Sequence, residues 1–417
     1  MTDTTLVFAV VAGIIVIGYA GESFFRKTGV PAFVFLIFTG IVLGPILHVL
    51  PVASLLPALA IFAELTLLMV LFYAGTDTKL ASALREGGRA FLQVIFYVGA
   101  STSLIALFAF FFLKWGIVES FIFASMVGGE TTAAVVVPLS RALNLPDSTV
   151  AFLTLESAMN SIFSIILFFA FVGIYNTGTG DLLATLSQIA ANFSVGIVLG
   201  LLFGMGGVLA LNRFQRQKYT YVLTIGVIFL TYSVTEELGG SGELAVLIFG
   251  LILGNYYVLN SLLKTPLDME PLRKQLGTFQ DEISFLMETL FFVFLGLTFE
   301  ISAGQLVNNF LKGAAIVAIL LSVRYFATTA STYHSDLSRE KRGIILMCAQ
   351  GLVPATLAIL ALELQIPLAD SFLNLVTYVI ILTNVVTAGG SIISLRQQKE
   401  GRGDLAQKVN EADGKLT

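Results

Sequence analysis

Three ionisable residues stand deep inside long apolar runs: Glu130, Glu156 and Arg324. A charge held away from water is costly, so it is usually paired, protonated or engaged with an ion. Glu130 lies in the stretch Gly128-Gly129-Glu130-Thr131-Thr132, between two glycines and two hydroxyls. Glycines in the middle of an apolar run favour local unwinding, which frees backbone carbonyls and amides to meet an ion. A carboxylate in that setting can hold a proton. It can also hold a monovalent cation, if hydroxyl and carbonyl oxygens replace the hydration shell. The bland reading is a permanently protonated acid donating one structural hydrogen bond. The absence of an obvious basic partner in the sequence favours the carrier role, with Thr131 and Thr132 beside it.

Arg324 lies about eight residues before one end of its apolar run, and Glu156 about eight residues after the start of its own. Their depths agree, so the economical reading is a structural ion pair that neutralises both charges. The run holding Glu156 also carries a polar stripe. At about 100° per residue, Glu156, Ser157, Asn160, Ser161 and Ser164 fall within one arc of roughly 140°. Serine and asparagine hydrogen-bond between helices in any membrane bundle. On the same face as Glu156, they also read as lining for a site, with Asn160 and Ser161 near mid-depth. Glu64 reads as nearer the end of its run, where water can reach it.

The elements that position these residues follow from composition. Hydrophobic residues make up 56% of the 417 residues and charged ones 12%, with a mean hydropathy of +0.90. No soluble core of that composition could be given a polar coat, so most of the chain is expected to have lipid as its solvent. A net charge of −4 without a basic block argues against nucleic-acid binding. Cys348 is the only cysteine, which excludes an intrachain disulfide and a thiolate metal site. His48 and His334 read as interfacial residues and form no metal cluster. No cofactor motif and no nucleophile–base arrangement is visible, so an enzyme is not expected. The opening residues carry no basic segment and lead into an apolar run longer than a cleavable signal needs, read here as a first span.

Apolar stretches of bilayer-spanning length occur near 5–25, 30–50, 56–75, 89–113, 118–143, 148–175, 181–212, 218–236, 241–260, 283–300, 305–332, 341–364 and 369–395. That predicts an all-α polytopic membrane protein of about thirteen transmembrane helices. Residues 1–395 form one transmembrane domain, and 396–417 a short tail. Of the 23 Lys and Arg, fifteen fall in loops after odd-numbered spans, five in the tail and one within a span; only Lys114 and Lys312 fall on the other side. Such a bias predicts a cytoplasmic C-terminus and an N-terminus outside, in a cell or inner membrane. Segment 264–283 reads as a polar connector with the pattern of a short interfacial helix.

Several signatures occur twice. FTGIVLGP at 38–45 is echoed by IFGLILGN at 248–255, pairing Gly40 with Gly250 and Gly44 with Gly254. LFYAGTD at 71–77 is echoed by VFLGLTF at 293–299, pairing Gly75 with Gly296. MVGGETT at 126–132 is echoed by CAQGLVP at 348–354. The offset is seven spans, an odd number, so the two halves would insert with opposite orientation. Repeat one would cover about 30–175 and repeat two about 241–395, with 181–212 linking them. Span twelve carries Gln350-Gly351-Leu352-Val353-Pro354 at a depth similar to the glycine break of span five. Both are expected to be broken helices. Gly196, Gly200 and Gly204 in span seven read as a packing stripe only.

These segments resemble the monovalent cation/proton antiporter superfamily, which includes the sodium/proton exchangers. The resemblance covers spans two to thirteen. It rests on GIVLGP at 40–45, LFYAG at 71–75, GGETTAAVVVPLSRALNLP at 128–146, TLESAMNS at 154–161, GELAVLIFGLILGN at 242–255, FFVFLGLTFE at 291–300, Arg324 and GLVPATLAILAL at 351–362. Each motif is weak; their order and spacing together are specific. The resemblance implies thirteen helices, a dimerisation part and a core part with two crossed broken helices, hence a homodimer. It maps the family's glutamate–arginine pair onto Glu156 and Arg324. It also exposes departures. Typical members continue the span-six motif with Asn-Asp, and that aspartate binds the ion; here Asn160 is followed by Ser161. The other frequent carboxylate would fall near Thr131 or Thr132, and the arginine often found before the span-twelve glycine is Gln350.

The expectation is therefore a secondary antiporter exchanging Na+ or K+ for H+, with Glu130 in place of the missing aspartate. Thr131, Thr132, Ser157, Asn160 and Ser161 are its candidate oxygen donors. One free carboxylate exchanges one proton for one cation, which predicts electroneutral transport. Two alternatives stay open on the same scaffold: a channel-like or carboxylate-independent transporter, and a transport-inactive sensor.

Overall fold

The computed structural model describes residues 12–21, 23, 32–47, 65, 68–69, 71–73, 75–76, 80–132, 135–136, 139–140, 143–177, 182–214, 217, 219–263, 269–299 and 304–390. Glu64, His48 and the 396–417 tail lie outside the described residues. All regular secondary structure among the described residues is helical, and no strand occurs among them. The cause is the solvent: without water to bond to, backbone amides and carbonyls must be satisfied within their own segment.

The helices, in chain order, are α1 (Ala12–Gly21), α2 (Ala32–Ile41), α3 (Leu80–Phe108), α4 (Ile117–Val127), α5 (Asp147–Thr177), α6 (Leu182–Phe214) and α7 (Thr220–Glu237). They are followed by α8 (Gly242–Gly254), α9 (Tyr256–Leu263), α10 (Glu270–Leu297), α11 (Leu306–Ser331), α12 (Lys341–Leu346) and α13 (Leu352–Glu363). The last is α14 (Ala369–Gly390). Five stretches are long and apolar enough to cross a membrane: Gly88–Leu113, Asp147–Asn176, Ala190–Phe214, Leu306–Ser331 and Ala369–Gly390. Phe91, Ile95 and Phe96 of α3, and Phe111 and Phe112 of the π-helical turn that follows it, are exposed, as suits a surface facing lipid. This is a multi-pass membrane protein.

Two features differ from the expected spans. The segment read as a polar connector becomes, from Glu270 onward, the first half of α10, which runs unbroken to Leu297. Its apolar residues recur at helical spacing, and Met269, Leu272 and Leu276 bury into a cluster with Phe72, Val246 and Phe249. Burial of that stripe outweighs the polar character of the remaining positions. The 241–260 span is divided at Asn255, whose side-chain amide donates to the Leu251 carbonyl at 2.8 Å and ends α8.

Close helix contacts occur where side chains are absent. A Cβ added at Gly40 would lie 2.0 Å from the Val293 carbonyl and 2.8 Å from the Gly296 Cα, so α2 and α10 touch backbone to backbone. A Cβ at Gly250 of α8 would lie 2.2 Å from the Phe72 carbonyl, and one at Gly75 would lie 2.4 Å from the Leu247 carbonyl. Small residues allow such approach, and dispersion over the full contact length holds it. On α6, Gly196 and Gly200 approach the backbone of Ser241 and Ala245 in the same way, and Gly204 makes room for the Ile252 side chain.

Candidate functional site

The site is built where two helices stop. α4 ends at Val127, and the chain is non-helical through 128–132 before helical bonding resumes with Val136 N–H donating to Thr132 O at 3.1 Å. Gly129 adopts φ +95°, a left-handed conformation that side chains rarely take, with its α-carbon facing the backbone of Val98 on α3. A Cβ at Gly128 would lie 2.3 Å from Thr102 Oγ1 and 2.4 Å from Ala124 O, so this corner admits glycine only. The second break separates α12 from α13 across 347–351. Pro354, in the first turn of α13, has no amide to give, and the first amides of a helix have no intrahelical partner in any case.

The two non-helical stretches meet. Thr132 N–H donates to the Ala349 carbonyl at 2.8 Å, and the Gln350 side-chain amide donates to the Val127 carbonyl at 2.6 Å. A Cβ on Gly351 would sit 3.0–3.1 Å from the Thr132 side chain, a tight fit. α14 holds the second break from behind. Thr387 Oγ1 accepts from Cys348 N–H, Thr383 Oγ1 accepts from Gln350 N–H, and Asn384 Nδ2 donates to Gln350 O at 2.7 Å. The sequence reading missed these three residues; the signal available was a cluster of polar side chains in an otherwise apolar span.

α5 holds the first break. Ser157 Oγ donates to the Thr131 carbonyl, and Asn160 Nδ2 donates to Thr131 Oγ1 at 3.1 Å. Ser161 Oγ lies 3.5 Å from Glu130 Oε1 and 3.2 Å from the Ser157 carbonyl. The Glu130 carboxylate also faces the backbone amide of Gly351, at the start of α13. Glu130 is 1% exposed, and its Oε2 has no hydrogen-bond partner. Asn160 Oδ1, Gln350 Oε1 and Asn384 Oδ1 are likewise buried acceptors without partners. No described basic side chain makes an ion pair with Glu130. The crossing therefore presents one carboxylate and several unpaired oxygens in a region closed to bulk water. Buried acceptors are rarely left in that state without a proton, water or cation to satisfy them.

Glu156 and Arg324 lie apart from this group. Arg324 Nη1 donates to Glu156 Oε1 at 2.6 Å and Nη2 to Oε2 at 3.1 Å, a two-point contact between fully buried side chains. Arg324 Nε donates to the Ile344 carbonyl at 3.0 Å, and its guanidinium lies 4.9 Å from the Tyr97 ring centre. Gln93 of α3 completes the surroundings: its Nε2 donates to Glu156 Oε1 and to Thr328 Oγ1, and its Oε1 accepts from Ser331 at 2.8 Å. Gln93 and Tyr97, one turn apart, are further residues the sequence reading passed over. Glu156 is thus fully engaged by donors, and of Glu130, Glu156 and Arg324 only Glu130 has no ion-pair partner among the described residues.

Comparison with known proteins gives the family and the fold. A profile of the sodium/hydrogen exchanger transmembrane family matches residues 10–395. A K(+)/H(+) antiporter, NhaP2, from Shewanella sp. (strain MR-4) is 25% identical over 352 residues, 81% of this chain and 57% of the relative. The low-affinity Na(+)/H(+) antiporter NhaS1 of Synechocystis sp. is 28% identical over 174 residues, 41% of this chain and 32% of that one. The chain thus spans little more than half the length of the NhaP2 relative it matches. The structure of the sodium proton antiporter MjNhaP1 from Methanocaldococcus jannaschii superposes with a TM-score of 0.80 at 19% identity, covering 95% of this chain and 99% of that one. The fold is shared, and the family match extends over nearly the whole length. This chain belongs to the sodium/hydrogen exchanger transmembrane family.

Proposed function

We propose that this protein exchanges a monovalent cation, Na+ or K+, for a proton, and that Glu130 carries each in turn. One observation carries the reading: the Glu130 carboxyl is buried at the meeting of two interrupted helices, with one oxygen unpartnered and Ser161 beside the other. Ser161 occupies the position where the family's usual aspartate would stand, so a glutamate from the facing segment brings a carboxylate to the same place. A cation at Glu130 would draw on Thr131, Thr132, Ser157, Asn160 and Ser161 for further oxygens. The relatives' named activities, K(+)/H(+) and Na(+)/H(+) antiport, fit this substrate class.

The Glu156–Arg324 pair contributes no net charge, so a single carboxylate exchanging one proton for one cation gives electroneutral transport. The architecture belonging to this reading is thirteen spans in two inverted repeats, about 30–175 and 241–395. The glycine contacts support it: the repeat maps Gly40 onto Gly250 and Gly296 onto Gly75, and the packing of Gly40 on Gly296 has its counterpart in the packing of Gly250 against the Phe72–Gly75 segment. A homodimer in a prokaryotic inner membrane, C-terminus in the cytoplasm, completes the proposal.

The test is cation-driven proton flux in proteoliposomes, run with each cation in turn. Glu130→Gln keeps the size and removes the charge, so it should abolish exchange while the protein remains folded in detergent. Wild-type rates from a well-folded Glu130→Gln variant would overturn the assignment. Uncoupled cation current would instead favour the channel-like reading.

A further inference from the structure

The peptide that joins Gln350 to Gly351 is engaged at both ends. Its N–H, on Gly351, faces the Glu130 carboxylate. Its C=O, on Gln350, accepts from Asn384 Nδ2 of α14 at 2.7 Å. The two groups point opposite ways from one planar unit, so a donor on the carbonyl side fixes where the amide aims. A hydrogen bond at one end of such a unit also polarises it, which strengthens the N–H as a donor. Gly351 itself is closely confined. A Cβ there would lie 3.0–3.1 Å from the Thr132 side chain, and Thr132 N–H donates to the Ala349 carbonyl at 2.8 Å.

Asn384 is placed for this task and for little else. It is fully buried in an apolar helix, and its side-chain amide donates both to Gln350 O and to the Ile380 carbonyl of α14, each at 2.7 Å. Those two bonds decide which end of the side chain is oxygen. That oxygen, Oδ1, is buried without a partner. An unpaired buried acceptor is costly, and a leucine of similar size would avoid the cost. What the amide adds beyond its own helix is the bond to Gln350 O. The neighbouring Thr383 Oγ1 accepts from Gln350 N–H at 3.2 Å, so α14 grips both backbone polar atoms of the residue before Gly351. No hydrogen bond joins Asn384 to Glu130 directly, and its influence runs through the peptide.

We infer that Asn384 is a positioning residue for cation binding: through the Gln350–Gly351 peptide it holds the amide that orients the Glu130 carboxylate. The inference rests on the reading of Glu130 as the cation carrier. A carboxylate that is already oriented needs no reordering when the cation arrives, so the bond from Asn384 adds to affinity. Saturating cation overcomes its loss, so the maximal rate depends on Asn384 much less.

The test is exchange by the full chain in proteoliposomes at one fixed pH, with Na+ and then K+ varied to saturation. Asn384→Leu keeps the size and removes the donor. It should raise the half-saturating cation concentration roughly three- to tenfold and lower the maximal rate by no more than about twofold. Asn384→Gln, which keeps the amide on a longer stem, should recover part of the affinity. Should Asn384→Leu fail to fold, Thr383→Val loosens Gln350 at its N–H and should raise the half-saturation in the same direction. Thr377→Val is the control. Its hydroxyl is also buried on α14 but donates to the Leu373 carbonyl of its own helix, so the variant should leave half-saturation as in wild type. Unchanged half-saturation in Asn384→Leu, a loss confined to the maximal rate, or an equal rise in Thr377→Val would overturn the inference and leave Glu130 as carrier. Glu130→Gln run alongside separates the two readings: exchange at wild-type rates in that variant would overturn the carrier assignment and this inference with it.

Discussion

The side-chain amide of Gln350 donates to the backbone carbonyl of Val127 at 2.6 Å, tying the second helix break to the end of α4. The last carbonyls of a helix have no intrahelical partner, and this one accepts both from Gly129 N–H at 2.8 Å and from a residue more than two hundred positions away. Gln350 is itself held by Thr383 and Asn384 of α14. Replacing it with leucine removes one of the two hydrogen bonds the buried Val127 carbonyl accepts, the other coming from Gly129 N–H at 2.8 Å, at a cost of about 0.5–1.5 kcal/mol. Gln350→Leu should therefore melt at lower temperature in detergent and exchange more slowly, with Gln350→Asn intermediate. A melting temperature equal to wild type would show that water replaces the lost donor.

The Glu156–Arg324 pair predicts a different pattern. Removing one member strands a buried charge, at a cost on the order of 3–5 kcal/mol. Arg324→Ala and Glu156→Ala should each destabilise strongly, and the double variant should recover part of the loss. Arg324→Lys should also destabilise, because an ammonium cannot make the two-point contact with the carboxylate together with the bond to the Ile344 carbonyl. Thermal melts of the four variants decide this; strictly additive losses in the double variant would mean the two side chains do not interact.

Protons and cations should compete at Glu130. A protonated carboxyl has no charge to offer a cation, so lowering the pH depletes the form that binds it. The half-saturating cation concentration should rise as pH falls, while the maximal rate at saturating cation changes less. Because one positive charge replaces another, an imposed membrane potential should leave the rate unaltered. Flux measured over a pH series, with and without an imposed potential, checks both points. A pH-independent half-saturation would separate the cation from Glu130.

Glycine contacts can be tested against each other. At Gly40 an added Cβ meets the α10 backbone at 2.0 Å, whereas at Gly88 nothing lies within 4 Å. Gly40→Val should force α2 and α10 apart and lower the melting temperature and yield, and Gly88→Val should be tolerated. Gly296→Val, on the opposing helix, should behave like Gly40→Val. Equal tolerance at Gly40 and Gly88 would show that α2 is not packed on α10 as described.

Composition and the length of the apolar runs were enough to make lipid the solvent, because a chain with 12% charged residues cannot coat a soluble core. Helices follow from that solvent, since an unpaired backbone group in hydrocarbon costs several kcal/mol. Distance along a helix was also enough to put Glu156 and Arg324 at one depth, because helical rise is constant. It carried no information about rotation. A single glutamine, tyrosine or threonine within an apolar helix has no periodic signature, so what it touches depends on how neighbouring helices are turned and crossed. That is why Gln93 and Tyr97 beside the ion pair, and Thr383, Asn384 and Thr387 behind the second break, emerged only from the folded arrangement. The same reason governs α10: whether 270–283 stays at the surface or packs as helix depended on a partner for Met269, Leu272 and Leu276, and the tertiary fold supplied one in the cluster around Phe72 and Phe249.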